Sequence, residues 1–214
     1  MPGGEFDWIA QLLRPLTRGA PEALDLLDDA AVIPSRPGFD LVVTKDALVA
    51  GVHFLTDDPL DLVARKLLRV NLSDLVAKGA QPWGYFLATA WPTGTAWADK
   101  ALFAEGLAAD GEAFDIRLLG GDTVSTSGPL TLSATLLGWV PHGQAILRKG
   151  ARPGDLLAVS GVIGDGWLGL KAARGALDSP ALADRYRLPA PRVDLIPALR
   201  AHARAAADVS DGLL

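Results

Sequence analysis

The stretch DPLDLVARKLLRVNLSDLVAKG, residues 58–79, contains the clearest helix signal in the chain. Asp58 is a favourable N-cap, Pro59 suits the first helical position, and Gly79 suits the end of the helix. At a rise of 1.5 Å per residue, about 20 residues give a helix roughly 30 Å long. We therefore expect a long helix here, with further elements on either side of it.

Asp74 lies on the apolar side of this helix. Leucine and valine side chains between residues 62 and 70 define that side, and Asp74 falls about 40° from its centre. A carboxylate directed at a core needs a partner, or it takes up a proton. Lys66 lies two turns earlier on the same side, so the pattern allows either an ion pair or a metal ion bound near the core.

The segments on either side of the helix alternate between helix and strand patterns. Before it, a helix is predicted over residues 5–13 and strands over 30–34 and 40–46. After it come a strand over 84–90, a helix over 96–113, and strands over 116–119 and 130–140. The order β-β-α-β-α-β-β is typical of split βαβ units, so we predict an α+β fold with helices on one face of a mixed sheet.

A second unit follows a break at Pro141-His-Gly143 and a further break at residues 150–154. A strand is predicted over 155–160, a helix from residue 164 onward, and another helix over 192–205. Residues 208–214 have the pattern of a strand that leads into a helix. We therefore expect a first domain over residues 1–142 and an incomplete α/β domain over 143–214.

Composition limits the possible functions. The chain has 214 residues, 50% hydrophobic and 21% charged, which is enough for a packed core. Its net charge of −5 argues against a broad nucleic-acid or anionic-membrane interface. The absence of cysteine excludes disulfides, thiolate zinc sites and cysteine nucleophiles. Without a signal-peptide pattern or a long apolar run, the sequence predicts a soluble cytoplasmic protein that has no nucleic-acid or membrane partner.

Six aspartates lie at predicted element ends or on the buried helix face. Carboxylates repel one another unless a positive charge lies between them, and oxygen ligands without cysteine suit Mg²⁺, which often brings a phosphate. Each aspartate taken singly can also be a turn or cap residue. We expect Asp46, Asp74 and Asp122 to converge on one metal cluster. The six residues are Asp29, Asp46, Asp74, Asp122, Asp208 and Asp211.

Three further features leave a structural and a functional interpretation open. Gly120-Gly-Asp-Thr123 follows a short apolar strand and is either a phosphate-binding turn with a metal ligand or an ordinary glycine turn. Arg148 is either a phosphate contact, because guanidinium matches phosphate geometry, or a surface arginine. His53 is either structural or functional. The P-loop is excluded, because no Gly-x4-Gly-Lys-Ser/Thr sequence occurs.

Taken in chain order, seven segments resemble the thiamine-monophosphate kinase family of the aminoimidazole-ribonucleotide-synthetase (PurM-like) superfamily. Each segment alone is weak, but the ordered set is specific and runs through the whole chain. The Val-His-Phe segment separates this family from its superfamily relatives. The segments are Gly4-Glu-Phe6, Asp28-Asp-Ala-Ala-Val32, Asp46-Ala-Leu-Val-Ala-Gly-Val-His-Phe54, Val70-Asn-Leu-Ser-Asp-Leu-Val-Ala-Lys-Gly-Ala80, Gly120-Gly-Asp-Thr123, Arg148 with Gly150-Ala-Arg-Pro-Gly-Asp155, and Asp208-Val-Ser-Asp-Gly-Leu213.

The resemblance implies a PurM-like N-terminal domain and an ATP-dependent kinase that converts thiamine monophosphate to thiamine diphosphate. It also implies several Mg²⁺ ions and a homodimer formed through the sheets of the first domain. By position, metal binding is implied for Asp29, Thr44, Asp46, Asp74, Asp122, Asp208 and Asp211. ATP binding is implied for Gly121, Asp122, Arg148 and Ser210, and thiamine monophosphate binding for His53. No catalytic base is assigned, because the acceptor phosphate is already ionised at pH 7.

The chain departs from the family pattern at three places. Asp25-Leu26-Leu27 stands where the family has Gly-x-Gly, which changes the turn before the first aspartate pair. Lys45 replaces a hydroxyl residue; its side chain cannot bind a cation, but its backbone carbonyl could, or its charge could replace part of a metal ion's charge. The family also continues beyond the length of this chain. Two other functions therefore stay open: a noncatalytic nucleotide-binding or dimerisation module, and another ATP-dependent synthetase of the superfamily.

Overall fold

A four-stranded mixed sheet organises the first unit in the computed structural model, which describes residues 4–210 and 212. Its strands are β1 (Phe39–Val49), β2 (Gln81–Pro92), β3 (Arg117–Thr126) and β4 (Thr131–Pro141), in the spatial order β1-β4-β2-β3. Strand β4 runs antiparallel to β1 and to β2, whereas β2 and β3 are parallel. The predicted mixed sheet is confirmed.

Helices cover one face of this sheet. After a short helix α1 (Glu5–Trp8), which continues through a π-helical turn (Ile9–Leu13) and a 3₁₀ turn (Arg14–Thr17), come α2 (Leu60–Ala77) and α3 (Trp97–Ala113). Leucines of α2 and α3 form one buried cluster with the inward side chains of β2 and β4. Burying each of these side chains contributes about 1.5–3 kcal/mol, which makes this cluster the main source of stability.

The ends of α2 differ in part from the prediction. Gly79 follows the helix with φ +68°, and the Ala80 amide donates to the Leu75 carbonyl, so the predicted C-terminal end is confirmed. Asp58 is not the N-cap, because Pro59 occupies that position. No side-chain hydrogen bond caps the helix there. The Asp58 carboxylate instead accepts a hydrogen bond from the Leu55 amide. Asp58 therefore stabilises the turn before the helix and does not cap the helix.

The predicted strand over residues 30–34 does not form. These residues have no regular structure, and Ala31 and Ile33 pack with Leu119 and Leu137 on the outer face of the sheet. Their apolar side chains are therefore buried by lying across the sheet rather than by pairing within it. The same segment follows a short 3₁₀ helix (Pro21–Leu26), which covers one end of the outer face.

Gly120 and Gly121 lie inside β3, so the predicted glycine turn is wrong. Strand β3 is longer than expected and continues to Thr126. Gly121 faces strand β2, where a Cβ atom would overlap the Leu87 carbonyl oxygen. The glycine is thus explained by the close approach of two parallel strands.

The second unit contains three helices: α4 (Asp165–Ala173), α5 (Pro180–Arg187) and α6 (Ile196–His202), the last preceded by a 3₁₀ turn (Val193–Leu195). The predicted helix starts near residues 164 and 192 are confirmed. The predicted strand over 155–160 does not form, and Leu156 is 98% exposed. A strand needs a neighbour for its backbone groups, and none of the described residues provides one. The domain boundary after residue 142 stays a prediction.

Side chains from α2 and α6 join the two units. Arg69 donates to the Pro189 carbonyl, and Arg200 of α6 donates to the Gly79 and Trp139 carbonyls. Within residues 4–210 and 212, the structure has no helix whose length and apolar content would let it cross a bilayer.

Candidate functional site

Thr44 and Asp74 meet between β1 and α2. Alternate residues of β1 face the helices, and Thr44 is one of them. Its Oγ1 donates to Asp74 Oδ2 at 2.5 Å. The ion pair between Asp74 and Lys66 that the helical spacing allowed is not formed, because Lys66 Nζ donates to the His53 carbonyl instead. Asp74 is thus directed at β1 without a basic partner among the described contacts.

Asp208 brings a second carboxyl group to the same place. Burial raises the pKa of Asp208, and the negative charge of Asp74 and a hydrogen bond with that residue raise it further. Arg148 opposes this effect weakly, because its Nη2 lies 3.9 Å from Asp208 Oδ1 and its side chain is 72% exposed. The site therefore carries more negative charge than its protein neighbours balance, a condition that a bound cation relieves.

Asp46 lies two residues after Thr44 and shares its face of β1. Its main-chain carbonyl accepts a hydrogen bond from Ser133 Oγ. Lys45 is directed to the opposite face, where its Nζ donates to Ser133 Oγ and Thr135 Oγ1. The sheet therefore separates the Lys45 charge from Asp74, and the idea that this charge replaces part of a metal ion's charge stays a prediction.

Asp122 does not join this group within one chain. It lies on β3, and β1 and β3 are the two edges of the sheet, so three strand spacings of about 4.8 Å, roughly 14 Å in all, separate them. Thr123 bonds Thr89 on one face of the sheet, which places Asp122 on the other. The expected convergence of Asp46, Asp74 and Asp122 within the chain is therefore wrong for Asp122. Sequence order could not reveal this, because it depends on which strand β3 pairs with.

The other predicted site residues occupy separate exposed positions. Asp29 lies in the irregular segment before β1, where its amide bonds the Asp28 carboxylate. His53 follows β1, and its Nδ1 accepts a hydrogen bond from the Val49 amide at 3.0 Å. Because Nδ1 is an acceptor, the proton of the neutral ring lies on Nε2, which can donate to a ligand. Ser210 is exposed, and Asp211 lies outside the described residues.

The acidic residues of the described part of the chain form no group of three or more that is arranged to hold a metal ion. The arrangement that does exist is a pair of carboxyl groups, Asp74 and Asp208, with one hydroxyl group from Thr44. These are oxygen ligands, which suit Mg²⁺ rather than a softer metal. The metal-binding roles of the individual residues stay predictions.

Two features of the site were missed by the sequence analysis. Asn71 of α2 is fully buried, and its Oδ1 has no hydrogen-bond partner among the described residues. Its position one turn before Asp74 on the apolar face was a usable signal. Lys66 lies between the His53 turn and the Tyr186 ring of α5. Lys66 and Tyr186 are 120 residues apart in the chain, so no local sequence pattern predicts their contact.

Comparisons with known proteins show which sequences and folds the chain is similar to. Residues 27–140, more than half of the chain, match the family model of the AIR synthase related protein, N-terminal domain. The thiamine-monophosphate kinase of Caulobacter vibrioides is 68% identical over the whole chain, which spans 61% of that protein. That of Escherichia coli K12 is 40% identical over the whole chain, which spans 67% of it.

A solved structure of AaThiL complexed with AMPPCP and TMP has a TM-score of 0.79 and 27% sequence identity, covering 98% of this chain and 67% of that one. The chain thus spans about three fifths to two thirds of the length of the relatives that it matches. The matches in sequence and in fold lead to one assignment. This chain belongs to the thiamine-monophosphate kinase family, with an AIR synthase related N-terminal domain over residues 27–140.

Proposed function

We propose that this protein transfers the γ-phosphoryl group of ATP to thiamine monophosphate and forms thiamine diphosphate. The observation that carries the proposal is the 68% identity, over the whole chain, to a thiamine-monophosphate kinase. A relative of the same fold binds AMPPCP, an ATP analogue, together with TMP. Because the chain spans 61% of its relative from Caulobacter vibrioides, the proposal concerns the complete gene product.

The acceptor chemistry explains why a general base is absent from the proposal. The phosphate of thiamine monophosphate is ionised at pH 7 and is itself the nucleophile, so no proton has to be removed from it. The barrier is the repulsion between two anions, which positive groups near the transferred phosphoryl group reduce. Because the acceptor phosphate attacks directly, we expect in-line transfer of the phosphoryl group from ATP without a phosphoenzyme intermediate.

Oxygen ligands of the chain fit Mg²⁺. Asp74 and Asp208 lie together, and burial and mutual repulsion raise the pKa of Asp208, so a cation at this position relieves an existing cost. Bound there, Mg²⁺ would neutralise phosphate charge. Thr44 orients Asp74 through its hydroxyl group. Asp29, Asp46 and Asp211 are also proposed as metal ligands, and Asp122 is proposed as one at its separate position on β3.

Arg148 is the residue proposed to meet a phosphate of ATP. Its side chain is largely exposed, and among the described residues it makes a long contact to Asp208, so it can turn toward a ligand at little cost. Its planar guanidinium matches phosphate oxygens. Gly121, Asp122 and Ser210 complete the proposed ATP contacts, and His53 donates through Nε2 to thiamine monophosphate.

A cytoplasmic homodimer completes the proposal. The outer face of β1 exposes Leu41 and Val43, and the outer face of β3 exposes Val124. An apolar sheet face of this kind is suited to packing against the same face of a second copy.

A noncatalytic nucleotide-binding module remains the second candidate. It is favoured by the position of Asp122 at the far edge of the sheet, away from Asp74. The two candidates differ in turnover. The complete gene product, given ATP and Mg²⁺, should form thiamine diphosphate from thiamine monophosphate, measured by chromatography, and should form little product from free thiamine. Binding of ATP without product, or equal rates on both acceptors, would contradict the kinase.

A further inference from the structure

Helix α5 of the second unit is hydrogen-bonded to the turn that carries His53. Asp58, which ends this turn, is buried, and its Oδ1 accepts a hydrogen bond from Arg187 Nε at 2.6 Å. Its Oδ2 accepts one from the Leu55 amide at 2.9 Å. One carboxylate therefore ties the backbone after His53 to the last turn of α5.

Lys66 makes a second connection at the same place. From α2, its Nζ donates to the main-chain carbonyl of His53 at 3.0 Å. The same ammonium group lies 3.6 Å from the centre of the Tyr186 ring, which is a cation–π distance. The turn that holds His53 is thus fixed between a helix of the first unit and a helix of the second.

The charge of Lys66 is costly where it stands. Burial lowers the pKa of Lys66 to about 8, and Arg187 lowers it as well, while Asp58 raises it. The titratable or charged groups that face it are Asp58 and Arg187, beside the Tyr186 ring and the His53 carbonyl. An apolar side chain would fill this space without the desolvation cost, so stability alone does not explain a lysine here.

We propose that Lys66 is a positioning residue for the acceptor substrate, acting through the His53 turn. The Tyr186 ring holds its ammonium group, which donates to the His53 carbonyl, and this fixes where the ring Nε2 of His53 meets the phosphate of thiamine monophosphate. The second unit thereby sets the geometry of a binding residue that belongs to the first. This inference rests on the proposed function, because it takes thiamine monophosphate as the ligand of His53.

The test compares two pairs of matched variants in the complete gene product. Lys66→Met keeps the length of the side chain without its charge, and Lys66→Arg restores a cation. Tyr186→Leu removes the ring, and Tyr186→Phe keeps it. Each variant is measured for the KM of thiamine monophosphate, the KM of ATP, kcat and Tm, and for amide hydrogen exchange over residues 49–56.

Lys66→Met should raise the KM of thiamine monophosphate about tenfold, the size expected from a lost cation–π contact and hydrogen bond. The KM of ATP and kcat should change less than about twofold, because the contact acts on substrate binding alone. Exchange over 49–56 should become faster, and Tm should not fall. Lys66→Arg and Tyr186→Phe should stay near the parent, whereas Tyr186→Leu should behave like Lys66→Met.

Three outcomes would overturn the inference. An unchanged KM and unchanged exchange in Lys66→Met would show that the lysine does not hold the turn. A lower Tm with equal losses for both substrates would show a general packing role. If the parent neither binds nor phosphorylates thiamine monophosphate, unchanged exchange in Lys66→Met would end both proposals. With such a parent, faster exchange in Lys66→Met would end the proposed function and show only that Lys66 holds the His53 turn.

Discussion

Asp74 and Asp208 place two carboxyl groups beside each other at a cost to the folded protein. The folded-state pKa of Asp208 is raised by burial and by Asp74. A carboxyl group with a raised folded pKa binds more protons folded than unfolded, so the free energy of unfolding falls as the pH rises from its ordinary pKa to the raised one. Above that range the full cost is present.

Asp74→Asn should therefore make the protein without metal more stable at neutral pH, by less than about 1 kcal/mol, because burial is the larger cause and solvent screens part of the repulsion. The gain should shrink in acid, where Asp208 of the parent takes up a proton and no longer repels Asp74. Denaturant unfolding at pH 3 and pH 7 measures it, with the exposed Asp178→Asn as the control. Mg²⁺-dependent ATP binding should weaken in Asp74→Asn. A variant less stable than the parent at pH 7, with unchanged ATP binding, would show that Asp74 is a structural residue.

The turn at residues 24–26 is strained by its side chains. Leu24, Asp25 and Leu26 have φ of 48°, 56° and 55°, a region that disfavours residues with a Cβ atom. This turn overlaps the place where the family pattern has glycine. The departure from the family pattern thus coincides with left-handed backbone at residues that carry side chains.

Leu24→Gly should raise the free energy of unfolding by roughly 0.5 kcal/mol, since about 1 kcal/mol of steric cost is removed and part is lost to the flexibility of glycine. Leu27→Gly is the matched control. Leu27 is an exposed leucine of the same turn with φ −109°, so the substitution should only add flexibility and destabilise the protein. Thermal unfolding of both variants measures the change in stability. A Leu24→Gly variant less stable than the parent would contradict the strain argument.

At the scale of elements, a buried carboxylate joins α2 to α3. Asp110 of α3 has no exposed surface and accepts hydrogen bonds from Arg65 Nε at 2.9 Å and from Arg69 Nε at 2.6 Å. Arg69 also donates to the Pro189 carbonyl, so this group reaches the second unit. Removal of one partner from a buried pair leaves charge that nothing compensates.

Asp110→Asn should lower the free energy of unfolding by about 2–4 kcal/mol, because two arginines lose their counter-charge in a partly dry site. Asp115→Asn is the control: its carboxylate pairs with Arg18 at 3.2 Å but is largely exposed, so the loss should be below about 1 kcal/mol. Urea unfolding of both variants measures the difference. Equal losses would mean that the buried group does not hold the helices together.

The elements that the sequence predicted well are those whose signals are local. α2, α3, β2 and β4 have periodic apolar side chains with clear end residues, and they form close to the expected ranges. The strands expected over 30–34 and 155–160 failed because a strand exists only when another strand pairs with it. The same reason explains why Asp122 was placed wrongly. Thr44 and Asp74 lie on elements that pack against each other. The position of Asp122 depends instead on the order of the strands in the sheet.

At the scale of the whole molecule, the two faces of the sheet have different surroundings. The inner face is buried under α2 and α3, whereas residues 20–33 pack on one end of the outer face. Val43 lies at the middle of β1 on the outer face and is 56% exposed, opposite Leu137 of β4 in the register. An exposed valine in this position is explained if a second copy of the chain covers it in the homodimer that we propose.

Val43→Asp should convert the dimer to a monomer with little loss of stability within each chain, because the side chain is buried only by the second copy. A charge at the centre of an apolar interface costs several kcal/mol when nothing pairs with it. Light scattering after size exclusion measures the mass. Leu102→Asp, on α3 at the other side of the sheet, should leave the dimer intact. A parent protein that is monomeric at micromolar concentration, or a Val43→Asp variant that remains dimeric, would show that the outer face of the sheet is not the interface.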